Sequence, residues 1–319
     1  LTKLMSAYLL FEQLEAGTLR AEERVRISPR AAAMNGARLQ LSAGAEVALD
    51  DLLKGMLVRS ANDATVALAE HAGGDTARFV AAMNAKARQL GLAATHFENP
   101  TGLDHASQRS NARDMTRLAS LLIRDFPAHY QRYFALREFT FQGARHYNRN
   151  LLLWRDDSVD GIKTGRTQAA GHCLIASARR DDMRLIATIL GAPNEDARVQ
   201  GAERLLAYGF EHFVTRLVHR REQPATHARV WLGAADTVPA GLADNLYVTL
   251  PRGAEQRLQR RILVAEDLYA PIHAGQKLGA LRLDVDGRTL AEYPLVALAD
   301  LAAGNTLQRA FDRLQLWLR

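Results

Sequence analysis

The period of the apolar residues changes once along the first two thirds of this chain, near residue 135, and that change limits what it can fold into. Before it the spacing is helical. Residues 2–16 place Leu4, Met5, Tyr8, Leu9, Phe11 and Leu14 on a broad face, with Gly17 as a stop signal. "LDDLLKGMLV" (49–58) and "NDATVALAEHAGG" (62–74) read as consecutive helices joined tightly at "RSA". Residues 75–92, opened by an N-cap Asp75 and stopped by Gly91, and residues 111–127, ended by Pro127, complete a helical cluster. "ERVRIS" (23–28) reads as a short strand and "NPTGLD" (99–104) as a turn. After residue 135 the pattern is extended. "REFTFQG" and "ARHYNRN" suggest a hairpin, and 159–167, 171–180 and 183–192 suggest three consecutive antiparallel strands. A long amphipathic helix over 195–213 is suited to cover that sheet. The fold class is therefore α+β, a helical cluster packed with an antiparallel sheet that helices cover.

At 319 residues the chain exceeds what one core usually supports, so a second domain is expected. The polar stretch "RREQPATH" (220–227) is the expected linker. Beyond it "RVWLG", "LYVTLPRG", "RRILVAE", "GALRLDV" and "EYPLVAL" read as short strands of a small all-β domain. We place the domains at 1–222, 223–300 and a C-terminal helix at 301–319. That helix carries Leu307, Ala310, Phe311, Leu314, Trp317 and Leu318 on one face, with Arg309, Asp312, Arg313, Gln315 and Arg319 off it. It is too short to span a bilayer but suits lying in a membrane interface.

The formal charge of +6 is scattered rather than run together, and no nucleic-acid-binding signature is present, so no nucleic-acid partner is expected. A single cysteine, Cys173, excludes an internal disulfide and a cysteine-rich metal site; no metal or cofactor is expected. One compositional bias is informative. Of 41 basic residues only five are lysine: Lys3, Lys54, Lys86, Lys163 and Lys277. Arginine serves wherever a plain positive charge suffices, and only lysine can lose its proton near neutral pH.

Two of those lysines fall in short motifs. "LTK" ends at Lys3, "SAN" spans Ser60–Asn62 and "KTG" spans Lys163–Gly165. Each alone is weak, since Ser60 could cap a helix, Lys3 could be solvated and Thr164–Gly165 could be a strand bulge. Together they supply what acyl transfer without histidine requires. An amine base must deprotonate a serine, and residues i and i+3 of a helix share a face, so a serine three residues before Lys3 would meet it. Ser60 and Asn62 offer a hydroxyl–amide pair for the leaving amine and the substrate amide. Lys163 and Thr164 offer charge and a hydroxyl to a carboxylate, and Gly165 lets a substrate lie close along the strand.

This set resembles the S-x-x-K, S-x-N and K-T-G motifs of penicillin-binding proteins and serine β-lactamases. More closely, the chain is similar to the low-molecular-mass penicillin-binding proteins that are D-alanyl-D-alanine carboxypeptidases. The stretches "LTKLMSAY", "LLKGMLVRSANDATVALAEHAGG", "GLAATHFENPTGLD", "VDGIKTGRTQAAGHCLIASA" and "MRLIATILGA" carry the likeness, which continues through "VWLGAAD" and "YPLVALADLAAGN". The resemblance implies a β-lactamase/transpeptidase-like domain over 1–222, a β-rich domain, and an anchor on the outer face of the inner membrane, hence a periplasmic location. It implies removal of the terminal D-alanine from peptidoglycan stem pentapeptides, with β-lactam antibiotics as covalent inhibitors of the same serine. That nucleophile is expected immediately before Leu1, so the 319 residues are expected to begin inside the first motif. By the same resemblance Lys3 is its base, Ser60 and Asn62 form the second motif, and Lys163, Thr164 and Gly165 form the third. Arg198 matches an arginine that helps bind the terminal carboxylate, and the backbone N–H of Arg166 forms half of the oxyanion hole. Position 166, often histidine in relatives, is here arginine, and the segment 31–44 looks shorter than its counterpart.

A serine β-lactamase is the enzymatic alternative, with Glu98 and Asp104 as candidate carboxylates for fast deacylation. An endopeptidase acting on peptidoglycan cross-links is another. A chain that truly lacked the nucleophile would instead be a non-catalytic envelope-binding protein.

Overall fold

A computed structural model describes residues 1–221 and 223–318, which form two compact units, Leu1–Gly209 and one beginning at Phe210. In the first unit helix α1 (Lys3–Glu15) is central. Every residue from Lys3 to Phe11 is buried, so the helix is enclosed all round rather than amphipathic. Strand β1 (Arg24–Arg26) pairs with β2 (Glu46–Ala48), and a short α2 (Pro29–Ala32) is N-capped by Ser28. Helix α3 (Leu49–Lys54) runs on into a π-helical turn, Gly55–Arg59, which ends at Ser60 in the left-handed conformation (φ 62°). Helix α4 (Asn62–Gly73) follows at once and packs on α1.

Helices α5 (Thr76–Gln89), α6 (Ala112–Asp125) and α7 (Pro127–Phe134) complete the helical cluster. Pro127 both stops α6 and opens α7, where a missing N–H costs nothing. The hairpin is β3 (Glu138–Phe141) with β4 (Ala144–Tyr147), followed by a single turn, α8 (Leu152–Arg155). The sheet is β5 (Val159–Thr167), β6 (Gly171–Arg180) and β7 (Met183–Ala192), antiparallel in that order, with β5 at an edge. Helix α9 (Glu195–His212) covers one face: a Cβ at Gly209 would stand 2.5 Å from the Leu185 side chain, so any larger residue would have to push that leucine aside. On the other face Thr188 meets Thr116 of α6 at 2.7 Å. The α+β class is as the sequence implies.

The second unit begins before the expected linker, because β8 (Phe213–His219) pairs with β11 (Leu246–Pro251). Its main sheet has five strands in the order β12 (Leu258–Val264), β13 (Lys277–Val285), β14 (Arg288–Ala297), β10 (Thr237–Gly241), β9 (Thr226–Arg229). "RVWLG" is not a strand beyond Arg229; Trp231 and Gly233 make only isolated bridges. Helix α10 (Thr306–Trp317) opens on a capping box between Asn305 and Gln308. Its polar side docks: Asp312, expected in solvent, is buried and accepts the Leu232 N–H at 2.6 Å, and Arg229 donates to Gln315. Leu307, Phe311, Leu314, Trp317 and Leu318 point outward, 83, 62, 54, 81 and 70% exposed. Arg319 and the boundary residue Glu222 lie outside the described residues.

Candidate active site

The first turn of α1 faces the start of α4 and the turn at 99–104, and these three elements enclose Lys3. Lys3 is 5% exposed, and its Nζ donates to Asn62 Oδ1 at 2.7 Å and to the Thr101 carbonyl at 2.6 Å. Burial, then the positive charge of Arg149, lower its pKa from 10.5 to about 7 against the pull of Asp63. A buried amine held by neutral acceptors is thus half deprotonated at neutral pH.

Ser60 and Asn62 are aimed by local backbone. The π-helical turn and the left-handed residue at Ser60 are conformations that proteins retain mainly at functional sites. Asn62 donates through Nδ2 to the Asn35 carbonyl at 2.7 Å, and its N–H to the Ala37 carbonyl. Asp63, fully buried, draws in the segment 31–44 by accepting from the N–H groups of Leu39, Leu41 and Ala64. The turn at 99–104 is tied by the Asn99 side chain to Thr101, Gly102 and Leu103, and by Ser6 to the Pro100 carbonyl.

The K-T-G stretch lies on the edge strand β5, opposite Ile175, Leu174 and Cys173 of β6. Lys163 is 3% exposed and donates to the Thr164 carbonyl at 2.9 Å; burial, then Lys3, Arg149 and Arg198, hold its pKa well below the ordinary value. At Gly165 a Cβ would stand 3.0 Å from the Leu1 nitrogen, so the strand and the start of α1 approach closely there. Arg198, on the first turn of α9, is 4% exposed and pairs with Glu195.

A single cavity of about 1330 Å³ joins these parts, lined by Lys3, Ser60, Asn62, Thr164, Gly165, Arg166 and Arg198 among others. Of the role-bearing residues of the three motifs only Lys163 is not among its lining; it lies buried on the strand beside Thr164. Glu98 is engaged by His96 at 3.0 Å and stands outside the lining, whereas Asp104 is part of it. Three participants escaped the sequence reading: Thr101, which contributes a carbonyl; Asp63; and Arg149, which lines the cavity and depresses both lysines. Asp63 is the one with a visible signal, an acid directly after the Ser-Ala-Asn motif at the start of an apolar helix.

A buried amine of lowered pKa, a hydroxyl–amide pair and a Lys-Thr-Gly edge strand near one cleft are the combination found in the class of serine acyl-transfer enzymes that bind penicillin. The chain belongs, within that class, to the D-alanyl-D-alanine carboxypeptidase family. Residues 1–194 match that family and residues 213–303 match the penicillin-binding protein 5 C-terminal domain. The chain is 37% identical to the D-alanyl-D-alanine carboxypeptidase DacA of Escherichia coli over 324 residues, covering 99% of this chain and 80% of the relative. It is 36% identical to DacC of the same organism, covering 98% and 80%. The crystal structure of penicillin-binding protein 5 from Haemophilus influenzae superposes with a TM-score of 0.85 at 34% identity, over 94% of this chain and 89% of that one. The protein is a serine-type carboxypeptidase of the cell-wall, penicillin-binding kind.

Proposed function

We propose that the roles within this cleft are divided as follows. A serine immediately before Leu1 is the nucleophile, and neutral Lys3 takes its proton. The serine oxygen attacks the carbonyl between the two D-alanines of a stem pentapeptide lying along β5. The oxyanion rests on the backbone N–H of Arg166 and that of the serine. Ser60 returns a proton to the departing D-alanine amine, Asn62 holds the substrate amide, and water then releases the shortened peptide. Lys163 lies buried behind Thr164, and Thr164 and Arg198 receive the terminal carboxylate. The observation that carries this reading is the hydrogen bond from Lys3 to Asn62, which binds the first motif to the second around an amine titrating near neutrality. A β-lactam ring, opened by the same serine, would remain as an ester. Intact mass spectrometry of the native protein with and without penicillin tests both halves. We expect a serine before Leu1 and a mass gain of one penicillin; any other preceding residue, or no adduct, refutes the assignment.

We further infer a periplasmic enzyme bound peripherally to the outer face of the inner membrane through α10. No described helix is long and apolar enough to cross a membrane. The outward Leu307, Phe311, Leu314, Trp317 and Leu318, with Arg309 and Arg313 beside them, suit an interfacial helix held by its polar back. Replacing Phe311 and Trp317 by serine should abolish flotation with anionic lipid vesicles while leaving penicillin acylation intact; unchanged flotation refutes it.

A further inference from the structure

The guanidinium of Arg198 already has a carboxylate beside it. Its Nη2 donates to Glu195 Oε1, one turn earlier at the start of α9. The two partners are unequally placed: the Arg198 side chain is 5% exposed and that of Glu195 is 49%. Arg198 Nε is buried and has no hydrogen-bond partner. Both residues line the cavity.

Several forces act on this pair. A buried guanidinium with an unmet donor is a costly state that an arriving acceptor relieves. Arg198 sits in the first turn of a helix, where the backbone dipole disfavours a cation, and its field reaches Lys163 and Arg149. Glu195 offsets that excess and favours the charged form of Arg149. The other acid lining the cavity, Asp104, is exposed and accepts the Ala169 N–H. Arginine grips a carboxylate with two bonds either side-on, through Nε and Nη2, or end-on, through Nη1 and Nη2. Both modes use Nη2, the atom that Glu195 holds. Two carboxylates on that atom would repel each other, and Glu195, half exposed, can turn into water at little cost.

We propose that Glu195 is a built-in competitor for the substrate's terminal carboxylate. In the free enzyme it occupies Arg198; an incoming peptide carboxylate displaces it and also meets the buried Nε. Glu195 acts through Arg198 and touches no reacting atom, and it limits how tightly carboxylate-ended substrate and released D-alanine are held. The proposal rests on Arg198 being the carboxylate receptor.

The test compares a stem pentapeptide ending in D-Ala-D-Ala as the free acid with the same peptide as its C-terminal amide, on the full-length enzyme. Glu195→Gln should raise kcat/KM for the acid about two- to fivefold, the range of a partly exposed ion pair. It should leave the amide unchanged, so the acid-to-amide ratio rises and inhibition by D-alanine tightens. Glu195→Ala should act in the same direction, and Glu195→Asp should stay near wild type. An acid-to-amide ratio that is unchanged or lower in both charge-removing variants overturns the proposal. Arg198→Leu separates the two readings. If it leaves the wild-type ratio intact, Arg198 is not the receptor and both fail. If it collapses the ratio while Glu195→Gln does nothing, the receptor stands and the competitor alone is refuted.

Discussion

Lys3→Met removes the proposed base and a buried charge in one step, and the two consequences have opposite signs. In the folded protein the Lys3 amine titrates near 7, whereas in the unfolded chain it keeps its proton up to about 10.5. Between these values the unfolded state binds more protons, so the Lys3 contribution makes stability rise with pH. Below about 7 the folded protein carries the burial cost in full; above 10.5 the cost is gone. Integrating from pH 7 to 9 gives a gain of about 2 kcal/mol for the wild type relative to a methionine variant, which has no proton to lose. Methionine is close in length and suits the apolar surroundings of α1, while the Asn62 and Thr101 acceptors lose their donor. Urea unfolding of both proteins at pH 7, 8 and 9 reads the difference, and the second unit, common to both, cancels. Acylation by penicillin, followed as the covalent adduct, should fall by about 10²- to 10⁴-fold. An ordinary lysine would be neutral in only roughly three molecules per ten thousand at pH 7, against half for an amine titrating there. Parallel pH–stability profiles would show that Lys3 is not held deprotonated. Near-normal acylation in the variant would remove it from the base role.

Arg149→Gln removes the largest charge acting on Lys3, so the Lys3 pKa should rise and the acid limb of the kcat/KM profile should move to higher pH; a limb that stays put refutes the electrostatic link. Asp63→Asn breaks part of the clamp on Leu39, Leu41 and Ala64 and should cost about 1–3 kcal/mol by urea unfolding, with slower acylation because Asn62 immediately precedes it on α4. Gly165→Ala puts a methyl group 3.0 Å from the Leu1 nitrogen, and penicillin acylation should drop while the melting temperature moves little; unaltered acylation would show that the strand does not approach the nucleophile's turn.

The parts of the fold legible in the sequence are those whose partners are close in the chain. Strands β5, β6 and β7 were expected over the same residues that form them, because each is an extended run rich in apolar and β-branched residues and short turns of three and two residues set their order. The cap at Asp75 likewise bonds within its own first turn. Strand β8 escaped notice because its ladder is with β11, about thirty residues on, and the preceding helix pattern runs into it. Strand β10 carries Pro239, Ala240 and Gly241, poor strand formers, and is extended only because β9 and β14 flank it. Asp312 looked like a solvent residue opposite the apolar face of α10, but the Leu232 N–H claims it.

The site divides the same way. Three motifs with the residue types of histidine-free acyl transfer can be read directly in order, since chemistry dictates side-chain identity. Their meeting cannot be read, because 59 positions separate Lys3 from the Asn62 that accepts its proton-bearing amine, and 98 separate it from the Thr101 carbonyl. The sequence by itself determined which groups this enzyme has to work with. Tertiary structure decided their protonation, because desolvation and the field of Arg149 act only once α1 is enclosed on every side.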